Sequence, residues 1–233
     1  MNHIASNGHN GHADTATETQ GADVFSLSGK LALITGGGTG IGLAIAQCMA
    51  AAGATVVITG RRESVLREAA ASVGESVQYM VNDVTDLAAI EGMVAEVEAT
   101  YGPLDILVNN AGINLKKPAL EVTDEDFDRI LHTNLHSVFA LTRACASRMV
   151  ARQKGVILMI SSMAAYYGID RVVAYAASKS AVEGMVKVLA SEFSGHGVRV
   201  NAIAPGFIET AMSRTAMNPT PTAATGPCAA RPW

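Results

Sequence analysis

Tyr175 and Lys179 stand four residues apart in the run YAASK, so a helical repeat turns both to one face. A phenol beside an ammonium can give and take a proton near neutral pH. With a unit charge about 4 Å away at an effective dielectric of about 20, the attraction is roughly 4 kcal/mol. That would bring the phenol down by about three units from its ordinary value near 10. The spacing thus predicts general acid–base chemistry carried by a depressed Tyr175. Ser161 and Ser162 close the apolar run 156–160, and thirteen positions separate Ser162 from Tyr175. Taken alone, a tyrosine and lysine at this spacing also fit a solvated helix, so the weight falls on the remaining motifs.

A second group of residues could bind phosphate. The run Thr35-Gly36-Gly37-Gly38-Thr39-Gly40-Ile41-Gly42 joins a strand pattern directly to a helix pattern. Glycines let backbone approach a pyrophosphate closely, and a helix N-terminus offers unpaired N–H groups and a positive dipole end. The spacing is G-x-x-x-G-x-G rather than the commonest dinucleotide fingerprint, and no GK[ST] follows to make a P-loop. A merely tight turn is the plainer reading of the glycines. After the second strand the chain reads Thr59-Gly60-Arg61-Arg62, with no carboxylate to accept a ribose 2′-hydroxyl. Two guanidiniums stand where a 2′-phosphate could sit, which predicts NADP(H), with NAD(H) the lesser alternative. The plainer reading makes them solvated residues at a helix start.

Other candidates carry less. His132 and His136 share a helix face, but no third ligand or HExxH pattern accompanies them, so packing is expected. His3, His9 and His12 lie in a polar leader without carboxylate or thiol support, and no metal site is expected. Lys116 and Lys117 could meet an anionic substrate, or simply belong to a solvated loop. Cys48, Cys145 and Cys228 are far apart and odd in number, which fits a reducing, cytoplasmic setting; the first two read as inert core residues.

The elements that must position these residues alternate regularly. Strands are expected over 31–35, 55–59, 77–81, 104–108, 156–160 and 198–204. Helices are expected over 40–52, 63–73, 86–100, 123–153 and from about Arg171 to Ser194, with Thr123 as an N-cap. That order implies an α/β fold with a doubly wound parallel sheet of six recognisable strands. The stretch 31–60 has no charged residue, yet glycines and threonines interrupt it. It reads as buried strand, helix and strand rather than a membrane span. The chain of 233 residues is 49% hydrophobic with net charge −4, enough apolar material for a large core and no basic footprint for nucleic acid or an anionic membrane. Residues 1–25 read as a disordered leader without a secretory signal, 26–210 as the dinucleotide-binding catalytic domain, and 211–233 as an irregular tail holding four of the seven prolines.

Taken together, TGGGTGIG at 35–42, Asp83-Val84, NNAG at 109–112, Asn134, ISS at 160–162, YAASK at 175–179 and APGFIET at 204–210 resemble the short-chain dehydrogenase/reductase family over about residues 27–214. Each motif alone is weak; their order and spacing together are specific. The resemblance implies a Rossmann fold and a hydride transfer between NADP(H) and a secondary alcohol or ketone. It implies that Tyr175 gives or takes the hydroxyl proton, Lys179 lowers the tyrosine and holds the nicotinamide ribose, Ser162 bonds the substrate oxygen, and Asn134 anchors a water in the relay. It implies cofactor contacts from Gly36, Gly38, Thr39, Gly40, Ile41 and Gly42 at the pyrophosphate, with Arg61 and Arg62 at the ribose. Asp83 and Val84 would meet the adenine, and Asn110, Ala111 and Gly112 would support the cofactor at the fourth strand. Pro205, Gly206, Ile208 and Thr210 would lie at the nicotinamide. Most of these fall at C-terminal strand ends, where open parallel sheets bind ligands; Asn134, in mid-helix, is the exception.

Within the family, INLKKPAL and ISSMAAYYG look most like gluconate 5-dehydrogenase, with 3-oxoacyl carrier-protein reductases the near alternative. Lid helices and a seventh strand usually follow the PG segment, and neither is recognisable here. A truncated, catalytically inactive or unstable cofactor-binding fragment is therefore the competing expectation. A homo-oligomer is expected, as a dimer through the long helices, with a tetramer doubtful.

Overall fold

The structure, a computed structural model, describes residues 24–208. Six strands form one parallel sheet: β1 (Leu31–Thr35), β2 (Thr55–Gly60), β3 (Val77–Val81), β4 (Ile106–Asn109), β5 (Gly155–Ile160) and β6 (Val198–Ile203). Their order is β3-β2-β1-β4-β5-β6, so the winding reverses between β1 and β4. That reversal opens a crevice beyond the carboxyl ends of the strands. All five residues of β1 are buried, as expected for a central strand covered on both faces.

The period of two decides which helices each strand meets. Leu31 and Leu33 pack with Val94, Val97, Leu141, Met149 and Val182, from α3 (Ile90–Tyr101), α5 (Ser137–Ala151) and α6 (Val173–Ser194). Ala32 and Ile34 point the other way, to Ala46 of α1 (Gly40–Ala51) and Leu66 of α2 (Glu63–Val73). Burying a side chain such as Leu33 contributes about 1.5–3 kcal/mol, and a one-residue slip in β1 would exchange the two cores. Arg148 of α5 and Arg152, just beyond its end, both reach Glu98 of α3, at 3.2 and 2.8 Å, and Arg152 also donates to the Leu104 carbonyl at 2.7 Å. These contacts anchor the segment that leads into β4.

Several expected boundaries move, each for a local reason. The third helix begins at Ile90 rather than residue 86, because residues 83–89 form turns in which Asp86 Oδ1 accepts the Ala89 N–H at 3.2 Å. The fourth strand runs Ile106–Asn109 rather than 104–108. The long helical region divides into α4 (Asp124–Leu131), a π-turn over His132–His136, and α5; Gln153, with φ 54°, lies beyond its end. Thr123 caps α4 as expected, its side chain accepting the Asp126 N–H. Arg171 has φ 65°, a left-handed backbone that cannot enter a helix, so α6 starts at Val173. Among the described residues, no helix is long and apolar enough to cross a membrane. Thr210, the whole of 211–233 and the leader histidines lie outside the described residues.

Candidate active site

One cleft of about 950 Å³ lies along the carboxyl ends of the strands. It is lined by most of the sequence-derived site residues: Gly36, Gly38, Thr39, Gly40, Ile41, Arg61, Arg62, Asp83, Val84, Asn110, Ala111, Gly112, Ser162, Tyr175, Lys179, Pro205, Gly206 and Ile208. Gly42 and Asn134 stand behind its wall rather than in it.

At one end the chain turns from β1 into α1. Gly36 and Gly40 have φ of 64° and 56°, conformations that favour glycine. A Cβ at Gly36 would stand 3.1 Å from Ala111 Cα, and one at Gly42 would meet the Gly36 carbonyl oxygen at 2.5 Å. Thr39, the N-cap of α1, makes no side-chain capping bond, and the first turn carries no acid. The first N–H groups of α1 are thus left for an anion, and the backbone around them is bare enough to admit a pyrophosphate. Thr35 holds the opposite lip: its Oγ1 accepts the N–H groups of Asn110 and Ala111 at 3.1 and 3.0 Å. Asn110 answers by donating Nδ2 to the Thr35 and Gly36 carbonyls. Sequence reasoning passes over Thr35; its one signal is a hydroxyl ending an otherwise apolar buried strand. These features fit a dinucleotide.

Along the cleft, Arg61 and Arg62 are exposed at the end of β2, and Arg62 precedes α2 without a side-chain cap. Asp83 Oδ1 accepts from the Thr85 N–H and hydroxyl at 3.0 and 2.8 Å. The Thr85 backbone bond, helped by its hydroxyl and by the charges of Arg61 and His132, holds the Asp83 carboxyl below its ordinary value despite partial burial. Lys117 does not face the cleft as a receptor for anions; its Nζ pairs with Asp126 at 2.8 Å. Lys116 does line it.

At the other end β5, α6 and the π-turn converge. Lys179 is 5% exposed; its Nζ donates to the Ile160 carbonyl at 2.6 Å and lies 5.7 Å from the Tyr175 ring centre. Burial alone brings this ammonium down to about 8. Burial likewise pushes the Tyr175 phenol up, and its hydrogen bond with Ser162 only partly opposes that. The expected three-unit lowering of Tyr175 by Lys179 is therefore corrected for the protein by itself. The ammonium is directed at the Ile160 carbonyl, and desolvation of the phenol outweighs its bond with Ser162. Ser162 Oγ accepts the Ala164 N–H at 3.1 Å, leaving its own O–H for the phenol. Asn134 is completely buried, its Oδ1 accepting from Ile113 N–H and its Nδ2 donating to Ile113 C=O, both at 2.8 Å. A Cβ at Gly112 would lie 3.2 Å from Asn134 Oδ1 and 3.8 Å from Lys179 Nζ, so all three meet at one corner.

The histidines and cysteines resolve as follows. His132 and His136 meet edge to face at 5.7 Å, and among the described residues no group of three or more His, Cys, Asp or Glu is placed to hold a metal. Cys145 is buried, its thiol pushed up to about 12 by burial. Cys48 is exposed rather than in the core, because it lies on the outer side of α1, away from Ala46.

The comparisons agree with this geometry. A model of the short chain dehydrogenase family matches residues 30–220. The 3-oxoacyl-acyl-carrier-protein reductase FabG of Escherichia coli is 40% identical over 190 residues, covering 82% of this chain and 78% of that protein. Gluconate 5-dehydrogenase of Gluconobacter oxydans is 39% identical over 194 residues, covering 82% and 76%. A Beutenbergia cavernae protein described as an NAD(P)-dependent gluconate 5-dehydrogenase, solved with NADP at low occupancy, superposes with TM-score 0.77 at 42% identity, covering 82% and 78%. A Rossmann-type sheet, a bare glycine turn and relatives of this identity lead to one assignment: the chain belongs to the short-chain dehydrogenase/reductase family, as an NAD(P)-dependent oxidoreductase acting on CH–OH groups.

Proposed function

We propose that the protein moves hydride between NADP(H) and a secondary alcohol or ketone, with Tyr175 as general acid and base. The observation that carries this is the meeting of Tyr175, Ser162 and Lys179 at one end of a cleft whose other end is the glycine turn. The nicotinamide cofactor supplies or accepts the hydride. Ser162 holds the substrate oxygen against the phenol, which keeps its proton near neutral pH and so has one to give as the carbonyl oxygen gains charge during reduction. Lys179, fixed by Ile160, orients the ribose and the proton path, and Asn134, itself held by Ile113 and Ser178, anchors a water behind it. The glycine turn and the free N–H groups of α1 hold the pyrophosphate, and Asp83 and Val84 flank the adenine. Asn110, Ala111 and Gly112 brace the cofactor, while Pro205, Gly206, Ile208 and Thr210 serve its carboxamide.

NADP(H) is favoured because Arg61 and Arg62 line the cleft where an NAD enzyme would present a carboxylate. For substrate, the two relatives' names support a sugar acid of the gluconate/5-ketogluconate kind or a 3-oxoacyl thioester. Lys116 on the wall favours an anionic one. The separated cysteines support a cytoplasmic site of action, and the long α5 and α6 support a homodimer.

NADPH oxidation against 5-ketogluconate and a 3-oxoacyl thioester tests the activity. Tyr175→Phe should abolish it, and equal turnover by that variant would overturn the assignment. Cofactor bound by well-folded protein without turnover of any ketone would favour an inactive binding fragment. Arg61→Asp should move preference toward NADH; unchanged preference would remove the NADP assignment alone.

A further inference from the structure

We infer that His132 is a positioning residue for the adenine end of the cofactor, acting by clamping the Thr85 carbonyl. The inference rests on placing that end at Asp83 and Val84, as proposed above. His132 Nε2 lies 2.9 Å from the Thr85 carbonyl oxygen, 47 residues away in the chain. A carbonyl only accepts, so Nε2 must carry the proton, and the ring is held in that tautomer or as the cation. Thr85 in turn gives its N–H and hydroxyl to Asp83 Oδ1. Within the loop the Thr85 carbonyl also accepts the Leu87 N–H at 3.1 Å and the Asp83 carbonyl accepts the Asp86 N–H at 3.0 Å, so of the bonds made by Thr85 the histidine supplies the one that comes from outside the loop. His136 meets the imidazole edge to face and limits how it can turn.

The π-turn explains how one short segment serves both ends of the cleft. An extra residue in a helix displaces the side chains beyond it, and such bulges gather at functional sites. Within His132–His136 the Ser137 N–H reaches back to the His132 carbonyl, and Ser137 Oγ satisfies the Thr133 carbonyl at 2.6 Å. With the backbone so arranged, Asn134 reaches Ile113 and Ser178, while His132, two residues earlier, reaches Thr85. His132 also lines the cleft beside Asp83 and Thr85, so displacement of this loop alters a wall the ligand touches.

The test uses the full chain and three proteins: the parent, His132→Leu and His132→Gln. Glutamine places an amide N–H near the position of Nε2 and should keep the clamp. Calorimetric binding of adenosine 2′,5′-bisphosphate should weaken about fivefold to tenfold in His132→Leu, the worth of one neutral hydrogen bond. It should stay within twofold of the parent in His132→Gln. Binding of nicotinamide mononucleotide should not change in either variant. In turnover, KM for NADPH should rise in His132→Leu with kcat within twofold. Equal affinity of parent and His132→Leu for the bisphosphate, or equal weakening in both variants, would overturn the inference and leave the cofactor assignment intact. Failure of His132→Leu to fold while His132→Gln binds normally would also overturn it, by making the residue structural. A parent that does not bind the bisphosphate overturns both.

Discussion

Asn134 gives both ends of its amide to the backbone of one residue, Ile113: the N–H is accepted at 2.8 Å and the C=O receives Nδ2 at 2.8 Å. The pairing resembles one rung of a sheet made by a side chain. It satisfies a loop strand beyond β4 that has no neighbouring strand at that level, and it leaves Nδ2 a second contact with Ser178 Oγ at 3.2 Å. Asn134 is thus a structural tie between the segment that follows NNAG, the π-turn and α6.

That tie predicts a stability cost separate from any loss of activity. Asn134→Ala leaves the Ile113 N–H and C=O without partners at a wholly buried site, a loss of about 2–4 kcal/mol. Asn134→Asp keeps the acceptor but turns a carboxylate oxygen toward the Ile113 carbonyl, and should cost at least as much. Urea unfolding of both variants checks this, and a loss below about 1 kcal/mol in either would contradict the tie.

Tyr175 should ionise above, not below, the ordinary phenol value of about 10 in the protein without cofactor, because burial outweighs its bond with Ser162. The difference between ultraviolet titrations of the parent and Tyr175→Phe isolates this one phenol. A Tyr175 phenolate already formed near neutral pH would show that Lys179 acts at full strength without help. The sign also bears on direction: oxidation of an alcohol, which needs the phenolate, should gain with rising pH more than ketone reduction does.

Much of the fold was legible because its signals are local. LALIT and TVVIT are short apolar runs bounded by glycines, and Thr123 with the acids after it announces the start of α4. The site was legible wherever a motif stands at a strand end. What escaped reading depends on contacts distant in sequence. The π-turn has no composition of its own, so Asn134 reads as an ordinary helix residue until Ile113 is placed beside it. Thr35 acquires a role only when Asn110 arrives from 75 positions away. The upward displacement of Tyr175 escapes the sequence because charge spacing is visible there and desolvation is not.

Lys179 should be a liability to stability at neutral pH. Its ammonium falls from 10.5 to about 8 on folding, which corresponds to about 3 kcal/mol against the folded state when charged. Losing its bond to the Ile160 carbonyl returns about 1 kcal/mol of that, so Lys179→Met should be more stable than the parent by about 2 kcal/mol at pH 7. Between pH 8 and 10.5 the unfolded parent holds the proton that the folded parent has released. The parent therefore gains stability as pH rises there, and the gap to the variant should close. Chemical melts at pH 7 and pH 10 measure it; a variant less stable than the parent at pH 7 would refute the burial cost.

The same substitution should have opposite signs at two glycines. In isolation, glycine to alanine within a helix stabilises by about 0.5–1 kcal/mol. At Gly92, exposed in α3, an added Cβ meets nothing within 4 Å, so Gly92→Ala should show that gain. At Gly42, in the first turn of α1, the Cβ would come 2.5 Å from both the Gly36 carbonyl oxygen and Asn110 Nδ2. The backbone oxygen cannot step aside without moving the glycine turn, and Asn110 cannot move without releasing Thr35 and Gly36. Overpacking of this kind costs about 1–3 kcal/mol, which exceeds the helical gain. Gly42→Ala should therefore lower the melting temperature and weaken NADPH binding together, whereas Gly92→Ala should raise the first and leave the second alone. A Gly42→Ala protein that binds NADPH like the parent would mean the turn has slack that its contacts do not show.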